Sequence, residues 1–311
     1  MDALAALLEG PRARGAFVLR SRLDPPWALR VEDGAPLTVV AVVRGAACVV
    51  TGDGAVERLA AGDVCVLRGP EPYLVADDPR TAPQVVIGPD QACRAAGGAS
   101  VHPMTAWGPR TWGNSGEGST VLLTGTYPDA GEVSGRLLRA LPPLLTVPGC
   151  DVGAPLLSYL AAEVDTDEPG QGAVLDRLLD LLLVAVLRCW FARAEAGAPG
   201  WYRAHSDPVA GPALRLLQEF PERPWTVASL AAEVGASRAA LARRFSDVVG
   251  EPPMAFLTDW RLALAADLLL EPGSTLDAVA RRVGYGSGFA LSSAFLRVRG
   301  VRPAEHRALR G

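Results

Sequence analysis

The sequence predicts an α+β protein of several domains: an N-terminal β-barrel, a central helical segment, and a C-terminal all-α domain with two helix-turn-helix units. Three observations lead to this fold class. Short runs rich in β-branched residues recur about every ten residues over 17–88, which is typical of a β-sandwich or barrel. An apolar stripe over 173–193 predicts a long helix. A pattern of about twenty residues occurs twice near the C-terminus.

Turn residues separate the predicted strands of the N-terminal domain, residues 1–130. The strand-like runs are 27–31, 37–43, 47–51, 63–67, 84–87 and 120–126. Residues 51–54 (TGDG) predict a hairpin, because Asp-Gly accommodates the positive φ angles of a tight turn. The glycine-rich residues 88–119 interrupt the pattern of strands, so we expect a long loop or lid there.

Residues 131–195 are expected to be helical, with short helices at 137–145 and 156–164 before the long one. The apolar side chains of the long helix cover more than one face, so the helix requires a second surface besides its own domain. A homodimer interface is the favoured partner, and packing in the protomer's own core is the alternative. The residues assigned to the dimer contact are Leu175, Leu178, Leu182 and Val186. Residues 196–207 are polar, contain Gly and Pro, and predict a linker.

The two copies of the repeat begin at Val227 and Leu276, and from Ser237 and Ser287 onward the matching positions are 50 residues apart. Each copy consists of a short apolar-striped helix, a glycine turn, and a second helix that begins with serine. This is the plan of a helix-turn-helix unit, which places its second helix in the major groove of DNA. Two tethered copies in one chain indicate a transcription factor.

The predicted C-terminal domain spans residues 208–311. Its expected helices are 209–219, 226–233, 237–248, 253–269, 275–282, 287–297 and 303–309. The two units occupy 226–248 and 275–297, and the helix at 253–269 links them. Expected N-caps are Thr226, Ser237, Ser274 and Ser287, and Gly235 and Gly284 are expected to be left-handed turn residues.

The outward face of the second helix in each unit is expected to contact DNA. The candidates are Arg238, Ala239, Ala242, Arg243 and Arg244 in the first unit and Ser287, Gly288, Phe289, Ser292 and Ser293 in the second. Arg243 is the expected base contact, since a guanidinium can bond bidentately to guanine; a solvated surface charge is the alternative. Arg244 is expected to contact phosphate or solvent. The second face has no arginine or amide, so we expect it mainly to position the protein, with Phe289 suited to a thymine methyl group.

The charge distribution agrees with this assignment. All 30 basic residues are arginine. Residues 1–207 carry 17 arginines against 24 acidic residues, a net charge of −7, whereas residues 208–311 carry 13 against 10, a net charge of +3. The basic excess therefore lies where the repeat lies. No uncharged apolar run reaches the roughly 18 residues of a membrane span, and the N-terminus lacks a secretory signal pattern, so a cytoplasmic protein is expected.

Four stretches of the C-terminal domain resemble the DNA-binding domain of the AraC/XylS family of transcription regulators. They are 237–245 (SRAALARRF), 260–262 (WRL), 284–287 (GYGS) and 300–303 (GVRP). The resemblance implies two recognition helices that a long helix places in successive major-groove faces. The family usually has an arginine at the position of Ser293.

The N-terminal strands resemble the cupin-type sensor domains that are fused to many members of this family. The resemblance rests on 43–45 (VRG), 61–64 (AGDV), 123–127 (LTGTY) and 141–145 (LPPLL). Cupin enzymes bind a metal through histidines on adjacent strands. In this chain Val40 and Tyr73 occupy those places, and the histidines are His102, His205 and His306, none of them on a predicted strand. We therefore expect no metal, no cofactor, no catalytic residue and no enzymatic activity.

Without a metal, the barrel is expected to bind a small-molecule effector that controls the DNA-binding half. The candidates for lining or covering that site are Trp27, Tyr73, Trp107 and Trp112. The cysteines are Cys48, Cys65, Cys93, Cys150 and Cys189. They include no CxxC pair, which argues against a disulfide framework or a zinc site and leaves a buried role or thiol-based sensing.

The sequence thus predicts a cytoplasmic, homodimeric, DNA-binding regulator of bacterial type. Its expected partners are double-stranded DNA, a second copy of the chain, a small-molecule effector and RNA polymerase, with no membrane partner. Two rival interpretations are an oxidant- or electrophile-sensing regulator and a cupin-fold enzyme with a DNA-binding tail.

Overall fold

A computed structural model of the chain describes residues 17–89, 91–98, 104–127, 135, 138–149, 154–193 and 197–310. The described residues form two compact units. The first unit contains residues 17–127 and 138–193, and the second contains residues 197–310. Within the described part of the chain, no helix is both long and apolar enough to span a membrane.

The first unit is built around two β-sheets. Its strands are β1 (Phe17–Leu23), β2 (Ala28–Val31), β3 (Leu37–Arg44), β4 (Ala46–Thr51), β5 (Val56–Ala60), β6 (Val64–Arg68), β7 (Tyr73–Ala76), β8 (Val85–Ile87), β9 (Cys93–Ala95), β10 (Thr105–Gly108), β11 (Thr111–Gly113), β12 (Thr120–Tyr127) and β13 (Leu144–Val147). One sheet has the order β10-β11-β1-β12-β3-β6-β13 and the other β5-β4-β7-β2-β8-β9. Apolar residues of both sheets form the core between them.

Strand register determines which side chains enter that core. Ser21 of β1 is opposite Leu122 of β12, which is in turn opposite Val42 of β3, and all three are buried. Successive side chains of a strand point to opposite faces of the sheet. The next row of side chains, which includes Arg22 and Val121, therefore points to the outer face of this sheet.

Two sequence predictions for this unit were wrong. The described part of the expected loop over 88–119 contains β9, β10 and β11, and β11 pairs with β1, so this part of the segment completes a sheet and forms no lid. Leu144–Val147, partly assigned to a helix, is a strand paired with β6. Leu145 and Val147 are buried and alternate with half-buried residues, which is the period of a strand.

Two helices complete the first unit, α1 (Ala154–Glu163) and α2 (Gln171–Phe191). Helix α2 packs closely against β12 at Gly125, where a Cβ atom would overlap the methyl groups of Leu179. The absence of a side chain at Gly125 therefore lets the helix approach the sheet.

The second unit is helical throughout its regular elements. They are α3 (Gly200–Ala204), α4 (Ala210–Glu219), α5 (Val227–Glu233), α6 (Arg238–Val249), α7 (Pro253–Leu269), α8 (Leu276–Arg282), α9 (Gly288–Arg299) and α10 (Pro303–Arg310). The last seven agree with the predicted helices to within two residues at each end. The predicted linker over 196–207 needs correction, because it contains α3. A Cβ atom at Gly200 would lie 2.5 Å from the carbonyl oxygens of Val248 and Val249, so α3 packs against α6.

Side-chain caps define where the repeated helices begin. Thr226, Ser237 and Ser287 each accept a hydrogen bond from the backbone N–H three residues later, as predicted. Helix α8 differs from the prediction, because Thr275 is its N-cap. The hydroxyl of Ser274 instead donates to a carbonyl of α7 at 3.2 Å.

Candidate functional site

Helix α6 has one buried face and one exposed face. Leu241 and Phe245 are fully buried and hold the helix on the core of the second unit. The opposite face presents Arg238, Ala239, Ala242 and Arg243. Neither arginine forms an ion pair within the described part of the chain, and the two alanines keep the helix surface low between them. This arrangement allows the backbone of α6 to approach a DNA groove while two free guanidinium groups extend from it.

Arg244 has a partner within the second compact unit that the sequence did not indicate, although its side chain remains 56% exposed. Its Nε donates to Asp207 Oδ2 at 2.6 Å, and that carboxylate is only 4% exposed. Asp207 also accepts from the N–H groups of Val209 and Ala210, at 3.0 and 2.8 Å. Burial alone would raise the pKa of Asp207, but these hydrogen bonds and Arg244 outweigh it and hold the pKa below its ordinary value. Arg244 therefore fastens α6 to the start of α4.

Helix α9, the counterpart of α6, presents a less polar surface. Phe289 is 83% exposed, Ser287 and Ser293 are exposed, and Ser292 is half-buried. The ring of Phe289 is therefore accessible to another molecule. The face carries hydroxyl groups and no charge, as the sequence predicted.

Gly288 must be removed from the predicted DNA contacts. It is buried, and its N–H donates to Asp277 Oδ1 at 2.7 Å. A Cβ atom at this position would lie 2.8 Å from that oxygen and 3.1 Å from Leu276 Cγ. Gly288 therefore allows the start of α9 to pack on α8, and it is unavailable to a base.

Arg261 of α7 joins the two helix-turn-helix units, a role that the sequence analysis missed. Its Nε donates to Pro221 O at 2.6 Å and its Nη2 to Arg223 O at 2.7 Å, both in the segment before α5. The same guanidinium lies 5.9 Å from the ring of Tyr285, which is in the turn of the second helix-turn-helix unit. Gly284 leaves the space for it, since a Cβ there would lie 2.7 Å from Arg261 Nη2. The arginine in the WRL stretch was the available signal.

The first unit encloses a small cavity of about 30 Å³ between its sheets. Apolar side chains form most of its wall, together with Ser21, Asp33, Tyr73, Gln91 and Trp112. Asp33 Oδ2 accepts from Gln91 Nε2 at 3.1 Å, and Trp112 Nε1 donates to Ser21 Oγ at 2.8 Å. Burial raises the pKa of Tyr73, so its phenol stays neutral and can donate a hydrogen bond.

Only two of the four aromatic residues predicted for an effector site line this cavity, Tyr73 and Trp112. Trp27 is fully buried in the core and does not reach the cavity wall. Trp107 is about half exposed on β10, and a Cβ atom at Gly116 would lie 3.6 Å from its ring. The predictions for Trp27 and Trp107 are therefore corrected: aromatic composition does not distinguish core, cavity and surface positions.

The positions that carry metal-binding histidines in cupin enzymes face the same cavity, and here they are Val40 and Tyr73. In the described residues, no cluster of three or more His, Cys, Asp or Glu side chains could hold a metal ion. His205 and His306 belong to the second unit, and His102 lies outside the described residues.

The cysteines depart from the prediction in one respect, because Cys189 is disulfide-bonded. Cys48, Cys65 and Cys93 are not in a disulfide, and Cys150 lies outside the described residues. Burial raises the pKa of Cys65 to about 12 and also raises that of Cys48, so neither forms a thiolate readily.

The four leucine and valine side chains predicted for a dimer contact are buried within their own protomer. They are Leu175, Leu178, Leu182 and Val186. The sheet and α1 already occupy the apolar stripe of α2, so the prediction is corrected to the alternative of core packing. The exposed apolar residues of the two helices are instead Tyr159, Val174 and Leu181.

Comparisons with known proteins agree with this two-part organisation. Residues 2–192 match the Cupin family model, and residues 230–308 match a helix-turn-helix domain model. A putative AraC-like transcription regulator of Streptomyces lividans is 36% identical over 288 residues, which cover 90% of each chain. A second one, of Streptomyces antibioticus, is 34% identical over 287 residues with the same coverage. A solved DNA-binding domain of AdpA, in complex with a target DNA, is 36% identical over 33% of this chain and 93% of that chain, with a TM-score of 0.31.

The family model for the first unit covers more than half of the chain, and both Streptomyces relatives align with nine-tenths of it. The second unit carries the repeated helices, with α6 and α9 in equivalent positions. The chain therefore belongs to the AraC-like family of DNA-binding transcription regulators, with an N-terminal cupin domain.

Proposed function

We propose that the chain recognises a specific operator chiefly through α6 and uses α9 mainly for positioning. The observation that carries this proposal is the exposed face of α6, where Arg238 and Arg243 have no carboxylate partner within the described residues. A guanidinium at such a position can bond to O6 and N7 of guanine, which discriminates against other bases by about 1–3 kcal/mol. On α9, Phe289 provides an apolar surface for a thymine methyl group, and its serines provide hydroxyls for phosphates.

The expected result for Arg243→Ala is a loss of operator affinity of about 1–3 kcal/mol, roughly 5- to 150-fold, with a much smaller loss on random DNA. The operator would be found by sequencing the genomic fragments that the purified protein retains. Binding of both DNAs would then be measured at one salt concentration, because phosphate contacts depend strongly on salt. Arg215→Ala, which removes an arginine of α4 outside both helix-turn-helix units, is the matched control and should leave both affinities nearly unchanged. Equal losses on the two DNAs would assign Arg243 to a phosphate.

We propose that the cavity of the first unit binds a small apolar or aromatic effector, and that its walls move apart to admit it, because about 30 Å³ is space for only one or two water molecules. Support comes from its apolar wall and from Tyr73 and Trp112, which offer ring surfaces beside a few polar groups. An effector can only shift the protein between arrangements that it binds with different affinity. The regulator would then act as a homodimer that pairs through the exposed apolar residues of α1 and α2, and it would contact RNA polymerase when bound at a promoter.

A second candidate function is sensing of thiol redox state, favoured by the disulfide at Cys189. Cys189 belongs to the last turns of α2, and Arg193, just beyond this helix, donates from Nη1 to Thr146 O of β13 at 3.2 Å. Breaking the disulfide would therefore loosen the end of α2. Disulfides are uncommon in the reducing cytosol except where they respond to oxidants.

For this candidate we expect dithiothreitol to change the operator affinity of the wild-type protein and to have no effect on Cys189→Ser. Cys93→Ser, which alters a half-buried cysteine that is not in a disulfide, should respond like the wild type. Affinities would be measured before and after reduction on the same operator fragment. A wild-type protein that is indifferent to reduction, or a Cys189→Ser variant that still responds, would eliminate the redox function and leave effector binding.

A further inference from the structure

Three arginines lie together on the outward-pointing face of the first sheet. Arg22 of β1 is opposite Val121 of β12, and Val121 is opposite Arg44 of β3, so one strand separates the two arginines. Arg20 is two residues before Arg22 on the same face of β1. They surround an open groove of about 620 Å³. The groove is lined by Arg20, Arg22, Val43, Arg44, Glu117 and Val121.

Backbone carbonyls hold Arg22 and Arg44 in place without neutralising them. Arg22 Nη1 donates to Gly116 O at 2.8 Å, and Arg44 Nη2 donates to Glu117 O at 2.6 Å and also to Gly118 O. In the described part of the chain, no carboxylate lies within 4.0 Å of Arg44, and the only one that close to Arg22 is Asp165, at 3.8 Å from Nη2. A guanidinium has five N–H donors, so most donors of both groups remain available. The two positive charges are thus oriented in advance, and the acidic residues near them are Asp165 beside Arg22, Asp24, whose pKa is lowered by hydrogen bonds and also by the charge of Arg44, and Glu117 in the groove wall.

Arg20 supplies the third charge from beneath the surface. Only 5% of this residue is exposed, and its guanidinium bonds to Asp165 and to Ala161 O near the end of α1. Its Nε is buried without a hydrogen-bond partner in the described residues. The hydrogen bond from Arg20 is the main reason that the pKa of Asp165 is lowered, so Asp165 remains charged and is committed to Arg20. It also lies 3.8 Å from Arg22 Nη2 and so compensates the charge of Arg22 in part, whereas no carboxylate of the described residues lies within 4.0 Å of Arg44.

We propose that this groove binds a small oxyanion, a carboxylate or phosphate group of a metabolite, between Arg22 and Arg44. Adjacent strands lie about 4.8 Å apart, so the two arginine backbones are separated by roughly 10 Å, a gap that two long side chains can close around one anionic group. Val43 and Val121 provide an apolar floor for the rest of the ligand. The site faces away from the cavity between the sheets, because Ser21 points inward where Arg20 and Arg22 point outward.

An anion bound in the groove can affect α2 through Asp165. Asp165 lies in the turn between α1 and α2, and Gln171, the first residue of α2, donates from Nε2 to Glu163 O at 2.9 Å. An anion that attracts Arg22 weakens its interaction with Asp165 and alters how this turn is held. The groove is therefore a second input to the helix that carries the exposed residues Val174 and Leu181.

Isothermal titration calorimetry on the full chain tests the site, with inorganic phosphate and succinate as separate probes and chloride holding the ionic strength constant. We expect saturable binding of at least one probe, with a dissociation constant of about 1 mM or below, equivalent to about −4 kcal/mol. Phosphate alone would identify a phosphorylated ligand, and succinate alone a carboxylate. The assay contains no DNA, so its outcome is independent of operator recognition.

Arg22→Gln and Arg44→Gln should each weaken this binding at least tenfold. Arg80→Gln removes the same charge from a side chain that is 93% exposed outside the groove, and it should bind the probe like the wild type. Thermal melting in chloride shows which variants fold. If Arg22→Gln does not fold, the Arg44→Gln variant, whose side chain lies on the exposed side of the groove, decides the test. The proposal is overturned if neither probe binds saturably, or if a folded groove variant binds as tightly as Arg80→Gln.

Discussion

Replacing Phe245 by alanine is expected to cost about 3–5 kcal/mol of unfolding free energy in the second unit and to abolish operator binding. Phe245 is fully buried under the first helix-turn-helix unit, and its ring meets that of Phe256 edge to face with centroids 5.9 Å apart. Its removal leaves a cavity beneath α6, so the face that carries Arg243 loses its support. Chemical denaturation would measure the stability, and binding to the selected operator would measure the function.

Phe289→Ala is the matched control, because it also removes a phenylalanine side chain, from α9 of the second helix-turn-helix unit, which is the counterpart of α6. Phe289 is 83% exposed, so the unfolding free energy should change by no more than about 0.5 kcal/mol. Operator affinity should nevertheless fall if the ring meets a thymine methyl group. A Phe289→Ala protein as unstable as Phe245→Ala would show that the exposed and buried faces of the repeat have been assigned wrongly.

The second large effect is expected at neighbouring leucines of α2. Leu182 is buried against the rest of the first unit, so Leu182→Ala should cost about 2–5 kcal/mol of unfolding free energy. Leu181, the preceding residue, points about 100° away around the helix and is 50% exposed. Leu181→Glu should therefore leave the protomer folded and dissociate the homodimer, since it introduces a charge into the proposed apolar contact.

Sedimentation equilibrium and thermal melting together separate these two outcomes. The wild type and Leu182→Ala, under conditions where the latter is folded, should sediment as dimers, and Leu181→Glu should sediment as a monomer with a near-normal protomer. Dimers that persist in Leu181→Glu and in the corresponding Val174→Glu variant would place the contact on a different surface. A monomeric wild-type protein would remove dimerisation from the proposed function.

Local signals explain why the helices of the second unit could be predicted so closely. Each helix of the repeat begins at a hydroxyl residue that caps it, and each turn contains a glycine with positive φ, +66° at Gly235 and +82° at Gly284. These interactions join residues three or four apart, so they are visible in the sequence itself. The N-cap of α8 is Thr275, one residue after the predicted Ser274, so the sequence located this helix start only to within one residue.

Contacts between distant residues explain the predictions that failed. Asp207 and Arg244 are 37 residues apart, and no local pattern indicates that the first neutralises the second. From the sequence, Gly288 resembles an exposed position, but in the fold its N–H is hydrogen-bonded to Asp277. Trp27 and Trp112 are both buried aromatics, yet only Trp112 reaches the cavity.

The sequence by itself determined the two-part architecture, the helices of the repeat and the outward direction of Arg238 and Arg243, because periodicity and capping act over a few residues. Only the tertiary structure decided which apolar face of α2 is already occupied, which arginines are paired, and that Arg22 and Arg44 line the same groove. The physical reason is that burial and charge compensation depend on which distant segments pack together, and those partners are set by the whole fold.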